Sequence, residues 1–124
     1  MNVKEINVLV LAYLGDTIYE NYVRKYLINK GISNVNDLQT ESIKYVSAKS
    51  QASFIRDMLD HDYFSEEEKS VVMRARNNKS NYHPKSCDII TYKYATGLEA
   101  VIGYLDLNNK YERIDKIMDF ILSE

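Results

Sequence analysis

The chain has 124 residues, 45% hydrophobic and 27% charged, a balance that suits one domain with its own core and excludes a disordered tail. Its single cysteine, Cys87, cannot close an internal disulfide, no apolar run approaches the roughly 18–20 residues that a bilayer span needs, and Met1-Asn2-Val3-Lys4 does not read as a signal peptide. One proline and four glycines favour long helices over a turn-rich β-sandwich, and a net charge of −2 reads, at first, against a polyanionic partner such as nucleic acid.

Apolar residues recur at helical spacing over about residues 3–27 through Ile6, Leu9, Val10, Tyr13 and Ile18, predicting a first helix that stops near Gly31. Between Val8 and Leu14 the apolar residues wrap almost the whole circumference, as in a helix covered on more than one side, by the fold or by a second subunit. A second helix is expected over about residues 37–60, after a segment rich in capping residues. Ser65 and Glu68 have the spacing of a capping box opening a third helix, which fades near Asn77-Asn78. Residues 77–85 include the only proline and read as a loop. Ser86 or a neighbour caps a fourth helix, apolar from Ile89 to Leu105, and a shorter amphipathic helix over residues 111–122 closes the chain. The expectation is an all-α bundle of about five main helices, one domain over residues 1–124.

Glycine in a helix interior costs about 0.8–1 kcal/mol relative to alanine. Gly15 and Gly97 both fall mid-helix, and Gly103 with Ala100 extends a small-residue strip, a pattern that suits close approach of two helix backbones. Each of the first two lies within two positions of a carboxylate in an apolar stretch, Asp16 and Glu99. If the helices cross at Gly15 and Gly97, the carboxylates meet, and a bound cation or a shared proton must relieve their repulsion. An oxygen-ligand site for Mg²⁺ or Mn²⁺ is one outcome, with Glu20 four residues after Asp16 as a supplement; pairing with lysine or solvent is the other.

Charge is unevenly spread. From Lys69 to Lys93 six basic residues face one acid, whereas Asp60 to Glu68 holds five acids and no base. Arg74, Arg76, Asn77 and Lys79 combine guanidinium, amide and ammonium groups suited to phosphate and sugar contacts, or else form a solvated helix end. Lys49-Ser50-Gln51 is a weaker polar insertion. His61-Asp62 lacks the further histidines of a helical phosphohydrolase, Cys87 has no activating partner, and no glycine-rich phosphate loop is present.

Four segments in order, Leu11-Ala12-Tyr13-Leu14-Gly15-Asp16-Thr17-Ile18-Tyr19-Glu20, Tyr45-Val46-Ser47-Ala48-Lys49-Ser50-Gln51-Ala52, Arg74-Ala75-Arg76-Asn77-Asn78-Lys79-Ser80 and Tyr94-Ala95-Thr96-Gly97-Leu98-Glu99-Ala100-Val101-Ile102-Gly103-Tyr104-Leu105, resemble the signatures of the ribonuclease III catalytic domain. The third and the overall length are more similar to its stand-alone Mini-ribonuclease III form. The resemblance implies a homodimeric, Mg²⁺-dependent endoribonuclease that hydrolyses double-stranded RNA to 5′-phosphate and 3′-hydroxyl ends. It places Asp16 and Glu99 as metal-binding catalytic carboxylates, with Arg74, Arg76, Asn77, Lys79, Lys49 and Lys85 on RNA. The full-size enzymes carry a glutamate and a second aspartate where this chain has Ala12 and Thr96, which leaves fewer protein ligands. The Mini form further implies maturation of precursor 23S ribosomal RNA in the cytoplasm, assisted by a large-subunit ribosomal protein. A dimeric RNA-binding module without cleavage is the competing reading, and the presence of both Asp16 and Glu99 argues against it.

Overall fold

Short polar side chains (Asn7, Asn34, Ser47, Ser65 and Asp88) cap five of the α-helices among the described residues. In a computed structural model describing residues 2–123, one 3-10 turn over Val3–Glu5 precedes six α-helices: α1 (Val8–Asn29), α2 (Val35–Val46), α3 (Ala48–Asp60), α4 (Glu66–Arg76), α5 (Ile89–Leu107) and α6 (Tyr111–Leu122). No strand occurs among the described residues. The capping box at Ser65 forms as expected: Glu68 donates its backbone N–H to Ser65 Oγ (3.1 Å), and Ser65 donates its own to Glu68 Oε1 (2.9 Å).

Two boundaries differ from the periodicity. The first helical run does not start at Val3, because Asn7 accepts the N–H of Leu9 (2.8 Å) and starts α1 at Val8. The stretch expected as one helix over residues 37–60 is two. Ser47 adopts extended geometry (φ −62°, ψ 149°), and its Oγ accepts the N–H of Ser50 at 3.2 Å, so the same residue ends α2 and caps α3. The hydroxyl offers the backbone a local partner at a point where the apolar spacing alone continues. Asp88, two residues after Ser86, caps α5 through Thr91 N–H (2.7 Å).

The central helix is α5, buried nearly all round from Ala95 to Leu105 and packed against α1, α3 and α4. The apolar wrap of α1 is not covered by the chain itself: Leu11 and Ala12 are buried, while Leu9, Val10 and Tyr13 are 42%, 57% and 83% exposed. The amphipathic α6 turns Ile114, Ile117, Met118 and Ile121 inward. Arg113 ties it to α4 by donating to Glu68 Oε2 (2.8 Å) and to the Tyr63 carbonyl (2.8 Å).

The expected glycine crossing exists with a different pair. A Cβ on Gly15 would lie 1.7 Å from the carbonyl oxygen of Glu99, and one on Gly103 would lie 2.0 Å from that of Leu11. So α1 and α5 cross at Gly15 and Gly103. Gly97 faces α4 instead, where an added Cβ would meet Val72 Cγ1 and the Val72 carbonyl at 3.2 Å. Because backbone cannot move aside as a side chain can, Gly15→Ala and Gly103→Ala are each expected to cost about 3 kcal/mol or more. Gly97→Ala gains helix propensity against a milder contact and should stay within about 1 kcal/mol of the parent. Urea unfolding of the three variants checks the order; equal losses would contradict it.

Candidate active site

The crossing that brings Gly15 onto the backbone of Glu99 also brings the neighbouring side chains together. Asp16, exposed on α1, and Glu99, half-buried on α5, place their carboxyl groups within hydrogen-bonding reach. Burial, the hydrogen bond to Asp16 and the charge of Asp16 push Glu99 up to about 9, with a further rise from Glu20. The buried amide of Gln51, on α3, bonds Glu99 and acts the other way. Thus α1, α3 and α5 all converge on one carboxyl group.

The pair lies on the wall of a cleft of about 300 Å³, lined also by Leu9, Ala12, Tyr13, Tyr92 and Thr96 and by Asn78, Ser80, Tyr82 and Lys93. Lys93 donates from Nζ to the carbonyl of Asn78, which pins the start of the 77–88 loop against α5 beside the carboxylates. Thr96 turns its hydroxyl back to the Tyr92 carbonyl (2.9 Å). Among the described residues no three His, Cys, Asp or Glu side chains converge as a metal-holding group. Glu20, the suggested supplement, instead pairs with Arg24 at 3.4 Å. Two adjacent carboxylates, one holding a proton far above its ordinary range, fit a hard divalent ion whose remaining positions are filled by water.

The profile of the Ribonuclease III domain matches residues 9–110, which contain both carboxylates and the whole cleft. The chain belongs to the ribonuclease III family. It is similar to the Mini-ribonuclease 3 of Streptococcus pneumoniae (39% identity over 124 residues, 100% of this chain and 97% of that relative). The Mini-ribonuclease 3 of Desulfitobacterium hafniense is 48% identical over 111 residues, 90% of this chain and 69% of that relative. A crystal structure of a protein from Fusobacterium nucleatum superposes with a TM-score of 0.89 at 34% identity, covering 100% of this chain and 99% of that one. The protein is therefore an endoribonuclease of the ribonuclease III type, with RNA as its substrate.

Within this ribonuclease III fold the basic residues singled out from the sequence do not form one strip. Arg74 is exposed and reaches toward the Lys4 carbonyl (3.4 Å), whereas Arg76, two residues on and so on another side of α4, lies over the ring of Tyr94. Asn77, Lys79 and Lys85 are exposed at the end of α4 and on the following loop, and Lys49 is exposed in the first turn of α3. Lys93, Asn78 and Gln51, which the sequence marked only as members of a basic run, a signature segment and a polar insertion, stand in or against the cleft with Tyr82. Lys93 was one base among six, and Gln51 carries no charge to draw notice. His61, set aside from sequence, contacts the Asp57 carbonyl through Nδ1 (2.8 Å) at the end of α3.

Glu99 makes stability depend on pH in a defined direction. From its ordinary value of 4.5 up to about 9 the unfolded chain has released this proton while the folded chain retains it. This group's contribution to folding therefore falls as pH rises through that window, in protein freed of divalent ions. Glu99→Gln should flatten that part of the pH–stability curve, measured by urea unfolding in EDTA. An unchanged slope would show that Glu99 is not the group responsible.

Proposed function

We propose that residues 1–124 form one catalytic domain that cuts double-stranded RNA at Asp16 and Glu99, with Mg²⁺ as cofactor and Mn²⁺ as a possible substitute, leaving 5′-phosphate and 3′-hydroxyl ends. The observation that carries this reading is the carboxylate pair itself: two acids held in contact by a backbone crossing, in a cleft open to a polymer. Asp16 and Glu99 would hold the ion, and Gln51 orients Glu99 through its amide. When bound, a divalent ion supplies Lewis acidity toward the scissile phosphate and makes water a nucleophile near neutral pH. With two acids available, one ion with several water ligands is favoured over two ions.

The chain's own residues do the rest. Lys93 holds the 77–88 loop at the cleft edge, and Lys79 and Lys85 on that loop, with Arg74, Arg76, Asn77 and Lys49 around it, meet the RNA backbones across the minor groove. The uncovered face of α1 supports a homodimer: Leu9, Val10 and Tyr13 are exposed, and Leu9 and Tyr13 also line the cleft. A second copy seated there lies beside the carboxylates and shields apolar surface that one subunit leaves in water. Likeness to Mini-ribonuclease 3 supports precursor 23S ribosomal RNA as the substrate and a cytoplasmic site of action. No helix among the described residues is long and apolar enough to cross a membrane. So few cations predict weak, salt-sensitive grip on naked RNA, which a large-subunit ribosomal protein on the substrate would relieve.

Incubation of a stem-containing precursor RNA with Mg²⁺ should give discrete cuts, reduced to the enzyme-free background by Asp16→Asn and by Glu99→Gln. Cleavage surviving both substitutions places the chemistry elsewhere, and no cleavage by the parent with any metal or stem favours a binding module. In light scattering the parent should elute as a dimer and Val10→Asp as a monomer with diminished cleavage. A monomeric, fully active parent rejects the dimer.

A further inference from the structure

Arg56 on α3, Arg76 at the end of α4 and Tyr94 early in α5 meet where those three helices pack. The guanidinium carbon of Arg56 lies 4.3 Å from the centroid of the Tyr94 ring, and that of Arg76 lies 5.4 Å from the same centroid. Both also reach the phenol oxygen, and the hydrogen bond from Arg76, followed by that from Arg56, draws the phenol below its ordinary range. The aromatic face attracts each cation and fixes its place, but a neutral phenol cannot cancel two positive charges.

No carboxylate among the described residues forms an ion pair with either arginine. Asp88 is near enough to sense Arg56, yet it accepts the Thr91 N–H at 2.7 Å as the cap of α5. Arg56 is exposed, so the side away from the ring opens to solvent. Arg76 keeps one N–H on Asn77 Oδ1 (3.4 Å), but two like charges held together with no ion pair to either, and with Arg56 open to solvent, form a receptor for an anion with several oxygens. A phosphodiester matches this, since guanidinium binds phosphate oxygens in forked pairs.

The cluster is outside the cleft lining yet tied to it on two helices. Tyr94 precedes Glu99 by five residues on α5, and Arg56 follows Gln51 by five on α3, about 7.5 Å of helix rise in each case. We infer that Arg56 and Arg76, mounted on Tyr94, clamp one backbone phosphate of the RNA outside the cleavage cleft and so set where the strand lies over Asp16 and Glu99. This clamp presupposes that RNA is cut at that carboxylate pair. Arg56 lies outside the conspicuous basic segment, and its role is visible only through the ring it shares with Arg76.

The test uses the full chain and a labelled RNA duplex, with binding followed by anisotropy over a salt series without divalent ions. Arg56→Ala should weaken binding about tenfold and lower the slope of log K against log salt by about one for each clamp engaged. Arg56→Lys should restore the slope and only part of the affinity, because a point charge replaces a fork. Lys116→Ala, an exposed change on α6, should alter neither. In cleavage assays Arg56→Ala should raise KM while kcat stays within about threefold, whereas failure of the carboxylate assignment would appear as cleavage by Asp16→Asn with the binding results unaffected. Unchanged affinity and slope for Arg56→Ala overturn the clamp. So does saturation of the arginine signals in NMR by inorganic phosphate alone at sub-millimolar concentration, which would mark a site for the free ion.

Discussion

Because neither Gly15 nor Gly103 carries a Cβ, α1 and α5 touch backbone to backbone, and this contact determines what the neighbouring side chains do. Helices that meet through ordinary side chains keep their axes about 8–10 Å apart, which would leave room for water and other groups between Asp16 and Glu99. Here a methyl group on Gly15 would sit 1.7 Å from the Glu99 carbonyl oxygen, so the residue that supplies one carboxylate is the same residue that α1 rests upon. The following residue, Asp16, stands beside it. The packing of the core and the placing of the site are one structural event.

That placement is electrostatically unfavourable in the absence of a counter-charge. The protein contains a useful contrast in Glu68, which is buried but receives N–H groups from Arg113 and Ser65. Glu68 is a structural acid, satisfied by the fold that buries it. Glu99 is given a second acid as its neighbour and one amide, from Gln51, and holds its proton up to about 9. A carboxyl group in that position is answered by a proton or a cation, and the remaining core, above all the buried length of α5, supplies the stability that keeps it there.

The positive charge is arranged on different terms. A net charge of −2 averages acidic helices with a basic segment around the end of α4, and even that segment divides once folded, with Arg74 and Arg76 leaving α4 in different directions. Lys93 contributes by holding the loop that carries Lys79 and Lys85, while Arg76 finds its companion in Arg56, twenty residues earlier in the chain. The cations are few and each has a defined place, which suits an endoribonuclease that recognises a shaped substrate more than one that grips any polyanion.

Much of this was legible in the residues. Spacing and caps located α4, α5 and α6, the mid-helix glycines announced a close crossing, and Asp16 and Glu99 stood out as acids in apolar surroundings. The break at Ser47 was hidden because the apolar period continues through it, and the choice of Gly103 over Gly97 was hidden because both lie on one helix and only the crossing point separates them. Arg56 gave no local signal, and Gln51 and Lys93 showed only as parts of a polar insertion and a basic run, since each matters through a partner far away in sequence. The sequence by itself determined the helical class and the family and singled out the two carboxylates as candidates, because these depend on residue type and short-range spacing. Only the tertiary structure decided which glycines meet, which amide supports Glu99 and which arginines share a ring, because those contacts exist only once α1, α3, α4 and α5 pack together.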